Sequence, residues 1–213
     1  MSGTEDLIAA LARDAAPVRR VGPMGLWAGW LAPAAGAIGL VIAVDGVCPN
    51  LWVQLADPLY VLCLVSAGMT GVLAAAAACL TAQPDRSRCF AWLPVPAIAV
   101  WGAAIAAHAG SRWSSGDHGL DGSGHCGAVF SILALALGGL TAWRMGRSQL
   151  AHGWQAGWLM GMAVGGMATF GFSLTHTFAE SGPLLLWNLA AGLVTAAGFA
   201  AIWGTRPDPI LVW

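Results

Sequence analysis

The chain carries almost no charge. Of its 213 residues only 9% are charged: ten acids, nine arginines and no lysine at all. A soluble domain carries about 25%, so an ordinary water-facing surface is excluded. The formal net charge of -1 leaves no basic face for direct nucleic-acid binding. With 58% hydrophobic residues the chain is equally far from a disordered one. Blocks of strict apolar–polar alternation are missing too, which excludes a transmembrane barrel. No acid or arginine falls inside any of the long apolar runs, which argues against an ion-coupled transport path and removes the acid–base groups that hydrolysis needs. The reading is of a non-enzyme.

What is present is apolar sequence in runs near the ~20 residues that cross a bilayer core. Six such runs occur, at 24–44, 58–80, 93–109, 126–143, 153–174 and 183–203. In lipid the backbone must satisfy its own hydrogen bonds, so each run predicts a helix. The expected fold is an all-α membrane protein of six transmembrane helices, preceded by a short N-terminal amphipathic helix. Arg13, Arg19, Arg20, Arg86, Arg88, Arg144, Arg147 and Arg206 fall on one side of these spans, and Arg112 alone on the other. Positive charge stays in the cytoplasm, so both termini are expected there. The domains then read as a cytoplasmic head at 1–22, a membrane domain at 23–205 and a cytoplasmic tail at 206–213. Tryptophans gather near both sets of span ends, as an aromatic belt requires, and Trp101 alone is expected at mid-membrane.

Twenty-nine glycines supply the small surfaces through which membrane helices approach. Gly157, Gly161 and Gly165 line one face of the fifth span. They read either as packing within one bundle or as a homodimer face. Gly68 with Val72, and Ala103 with Ala107, give weaker versions of the same pattern. No internal repeat is visible.

The head, MSGTEDLIAALARDAAPVRRVGP, differs in kind. Ser2 and Glu5 fit a capping box. Leu7, Ile8, Leu11 and Ala15 share one face, and Pro17 ends the helix. A helix this short is marginal alone in water. Its stripe needs a cover: lipid headgroups, its own bundle, or a partner's groove. Asp6, Arg13 and Asp14 would flank that contact.

The segment DLIAALARDAAPVRR, ahead of six spans, resembles the NrsF-type membrane anti-sigma factors of bacteria. The likeness continues at LADP (55–58), at the Cys126 region opening the fourth span, and at HTFAESGPLLLW (176–187), so it covers essentially the whole chain. It implies sequestration of an extracytoplasmic-function sigma factor at the inner membrane, with release on an envelope or periplasmic stress. Carried over by position, the sigma-binding residues would be Asp6, Leu7, Leu11, Asp14, Pro17, Val18, Arg19 and Arg20, and the apolar face of the head adds Ile8. One departure matters. The family places a second cysteine after the histidine that matches His176, and this chain has Thr177 there. Asn188 also stands where a histidine usually follows the tryptophan. A two-cysteine switch therefore does not transfer unchanged.

Five cysteines cannot all pair. Cys48 and Cys126 both fall on the expected outer face, where a bridge would be open to them if their Cα atoms approach within about 7 Å. His125, His176 and Glu180 belong to the same side and, with the two cysteines, make up the candidate sensing residues. His108 and His118 share that side. These are ligand types for a soft divalent metal, but no H-x3-H or C-x2-C spacing marks a site. No cofactor is expected, and an outer-face metal is kept only as a minority reading. The runner-up function is a small membrane transporter, or a metal- or haem-binding membrane protein using those residues. A purely structural membrane subunit is the third reading.

Overall fold

The computed structural model describes residues 3–4, 22–81, 87–114, 123–148, 154–176 and 182–204. Among the described residues there is no strand. Six long helices follow one another in these described stretches: α1 (Pro23–Asp45), α2 (Pro58–Thr81), α3 (Val95–Ser114), α4 (Ser123–Ser148), α5 (Trp154–Thr175) and α6 (Gly182–Gly204). Each coincides with one of the apolar runs to within a few residues at its ends. Local chemistry sets several of their starts. Pro23 opens α1, where its missing N–H costs nothing. Asp57 caps α2, its Oδ1 accepting from the Leu59 N–H at 2.9 Å. A 3-10 turn, Arg88–Trp92, precedes α3 and is capped by Ser87 Oγ on the Cys89 N–H.

The bundle is organised around α5, which touches α1, α2, α4 and α6. The reason lies in its side chains. Gly157, Gly161 and Gly165 form a groove that admits α6 so closely that a Cβ at Gly157 would lie 2.5 Å from the Phe199 carbonyl oxygen, and one at Gly165 2.9 Å from Gly192 Cα. A Cβ at Gly161 would run into Ala196 Cα. Rising numbers on α5 meet falling numbers on α6, so the two are antiparallel. The glycine stripe is thus filled from within the same chain and does not offer a homodimer face. On another side, a Cβ at Gly166 would lie 2.7 Å from the Ala67 carbonyl oxygen and the Gly71 nitrogen of α2. Gly68 meets Phe170 and Gly71 meets Met167, so Gly68 works with Gly71 rather than with Val72. Ala103 and Ala107 face outward on α3, and it is Ala104 that is buried. Close backbone approach of this kind is what holds helices together in lipid.

Around α5 the remaining helices close a ring. α1 packs on α2 and α4, α2 on α3, and α3 on α6. Gly138 of α4 lies within contact distance of Phe199 of α6. Trp101 is buried in the core, with Gly192 of α6 beside its ring. Most buried hydroxyls bond back into their own helices: Thr141 to the Leu137 carbonyl, Thr169 to that of Gly165 and Ser173 to that of Thr169. Thr70 Oγ1 is buried without a partner among the described residues.

Among the described residues four helical stretches are long and apolar enough to cross a membrane: Met24–Asp45, Pro58–Thr81, Arg88–His108 and Trp154–Thr175. α4 and α6 are 26 and 23 residues long and carry shorter apolar stretches among the described residues, Val129–Trp143 and Ala190–Ile202. The chain is an all-helical bundle suited to a bilayer.

Candidate functional site

At the end of the bundle where α1 stops, the chain ties a polar knot. Gly46 breaks the helix with φ 85°, a backbone conformation that glycine adopts without strain, and its N–H closes the last turn on the Ile42 carbonyl at 2.9 Å. The linker then runs through Cys48 into a single helical turn, Leu51–Gln54. Cys48 is 3% exposed and Gln54 9%. These residues reach the C-terminus of α5, where the last carbonyls of a helix have no partner of their own. The Cys48 N–H donates to the Leu174 carbonyl at 3.1 Å. The Tyr60 hydroxyl donates to the Ser173 carbonyl at 2.6 Å. The His176 N–H donates to the Phe172 carbonyl at 3.0 Å. Three carbonyls that the helix leaves open are thus satisfied, two of them by the α1–α2 region.

Beside them the His176 ring stacks on Phe172 with centroids 4.6 Å apart and planes 12° from parallel. Its Nδ1 lies 2.8 Å from Thr175 Oγ1. Its Nε2 lies 3.8 Å from Asp45 Oδ2, a contact that becomes an ion pair only when the imidazole is protonated. Gln54 Nε2 donates to Cys48 Sγ at 3.9 Å, while Gln54 Oε1 is buried without a partner among the described residues.

Of the sensing residues read from sequence, Cys48 and His176 come to this knot. Cys48 is a free thiol, so a bridge to Cys126 is not formed. The linker turns its side chain inward, toward Gln54, and the Leu174 bond holds it there. The side chains of His125 and Cys126, in the first turn of α4, lie outside the described residues, as does Glu180. Cys63 and Cys79 are buried free thiols in α2, and Cys89 is an exposed one in the 3-10 turn. Among the described residues no group of three or more His, Cys, Asp or Glu is placed to hold a metal. The contacts of the linker, Cys48 N–H on the Leu174 carbonyl and the Gln54 amide on Cys48 Sγ, tie the stretch after α1 to the end of α5. Gln54 and Tyr60 were not singled out from sequence. The available signals were an amide within the apolar run LWVQL and the chain's one tyrosine.

The sigma-binding residues expected in the head, Asp6, Leu7, Ile8, Leu11, Asp14, Pro17, Val18, Arg19 and Arg20, all lie outside the described residues. The sequence itself adds to what the geometry provides. No curated protein and no solved structure matches the chain. The sequence model of one family, described as negative regulator of sigma F (NrsF), matches residues 11–209. That match takes in Leu11 to Arg20 of the head, the polar knot and all six helices, and the chain belongs to the NrsF family of negative regulators of sigma F.

Proposed function

We propose that the protein is an inner-membrane anti-sigma factor that holds an extracytoplasmic-function sigma factor through its cytoplasmic head and releases it on an envelope stress. The family match over 11–209 carries this reading. The six-helix bundle and the one-sided arginines support six spans with both termini cytoplasmic. The domains are then the head at 1–22, the membrane body at 23–205 and the tail at 206–213. The Leu7, Ile8 and Leu11 face docks in an apolar groove of the sigma factor. Asp6, Arg13 and Asp14 set its register, Pro17 ends the helix and with Val18 extends the contact, and Arg19 and Arg20 pair with the partner's acids or with anionic lipid. Sequestration needs no catalysis and no cofactor.

Co-purification from membranes tests the reading. The full chain brings down its sigma factor. A chain lacking residues 1–22 does not, and neither does Leu7→Asp or Leu11→Asp, although all three insert in the membrane. Undiminished capture by the truncated chain refutes the docking role of the head. Labelling that finds Met1 on the periplasmic side refutes the topology.

A further inference from the structure

α1 and α4 do not stay together along their length. At one end they are tied by Trp30 Nε1, which donates to Thr141 Oγ1 at 2.9 Å. Midway, Ile38 and Leu133 both press on the same spot of α5, the position of Gly171. Beyond that point a crevice of about 320 Å³ opens between the two helices, lined by Leu40, Val41, Val44, Asp45, Val129 and Ile132. Leu40, Val44 and Ile132 are exposed at its lips and Val129 is buried at its floor. The crevice therefore opens sideways, toward whatever surrounds the bundle.

We propose that this crevice binds one phospholipid, its upper acyl segment between α1 and α4 and a primary-amine headgroup on Asp45. The volume is some ten times that of one water in the liquid, roughly 30 Å³, and five of the six described lining residues are aliphatic. In a bilayer the molecule at hand for such a slot is an acyl chain. Moving a chain from lipid into an apolar slot gains no hydrophobic energy, so selectivity has to come from the headgroup. Among the described residues Asp45 is the one charged group lining the crevice, and it is the last residue of α1, where a span gives way to the interface. An ammonium offers that carboxylate three N–H donors. A choline offers none, and a glycerol headgroup brings a phosphate whose charge no amine offsets. His176 Nε2, 3.8 Å from Asp45 Oδ2, places a second polar group beside the carboxylate. The inference rests on the bundle lying in a membrane and not on capture of a sigma factor.

Native mass spectrometry of the full chain in detergent, offered equal phosphatidylethanolamine and phosphatidylglycerol, tests it. The wild type retains one phosphatidylethanolamine in preference to phosphatidylglycerol. Asp45→Asn lowers that preference by about threefold to tenfold, as loss of one partly exposed charge contact requires. Ile132→Trp fills the slot from an exposed position and lowers retention of both lipids, with helical content unchanged by circular dichroism. Equal retention of the two lipids by the wild type overturns the proposal, as does an unchanged preference in Asp45→Asn. A mass of two chains without lipid, separated to monomer by Ile132→Trp, assigns the slot to a second copy and overturns it as well.

Discussion

α5 and α1 have much the same composition and opposite fates. Both are apolar helices of span length, and both carry several glycines. α5 is buried along nearly its whole length, and its glycines at 157, 161, 165 and 166 each meet a neighbour's backbone. α1 turns Gly36 and Gly39 outward, with nothing within 4 Å of either. A small residue is therefore an opening for a partner and no guarantee of one. α5 became the centre because its small residues lie on more than one side, so that α2 and α6 both come close. α1 reaches the core with Trp30, Ala34 and Ile38 and leaves its other side to lipid.

Substitutions can break this contrast. Gly161→Leu drives a side chain into the α6 backbone and costs about 3 kcal/mol or more, whereas Gly36→Leu on α1 stays within about 0.5 kcal/mol. Reversible unfolding in mixed detergent micelles reads both, and equal losses would remove the distinction between the two helices. Next come the ties. Tyr60→Phe leaves the Ser173 carbonyl at the end of α5 unpaired and costs about 1–2 kcal/mol. Thr141→Val keeps the shape but takes the acceptor from Trp30, the tie of α1, at about 1 kcal/mol. A larger loss at Thr141 than at Tyr60 would reverse the ranking of the two helices. Smallest is Gln54→Met, which removes a buried amide oxygen that has no partner among the described residues and stays within about 0.5 kcal/mol, on the stabilising side. A loss above about 1 kcal/mol there would mean that the amide has a partner elsewhere.

The same contrast explains what could be read in advance. Apolar length alone gave the helices, because a bilayer allows a spanning segment little else. Their ends moved by a few residues where local chemistry intervened. The run at 93–109 became α3, which starts at Val95 after the Arg88–Trp92 turn and continues to Ser114. Pro94 and Pro96 are acceptable at a helix start, and nothing in Gly110 to Ser114 is a firm stop. The stripe at 157, 161 and 165 was visible because its spacing lies within one helix. Its meeting with Gly192 and Ala196 was not, and neither was the pairing of Gly71 with Gly166, since both depend on which helices become neighbours. The knot shows the same limit. Asp45, Cys48 and His176 could be assigned to one face from the order of the spans. The Tyr60 bond to Ser173 bridges residues 113 apart in sequence, and no local pattern announces it.

The position of α5 also bears on how the chain is made. Synthesis delivers α1 to α4 first, and two of them, α2 and α4, have their main partner in α5, which is not yet translated. A nascent chain stopped before Trp154 is a rim without a hub. The carbonyls that Cys48 and Tyr60 are shaped to meet do not yet exist, so the first hairpin enters the bilayer with its closing bonds still unmade.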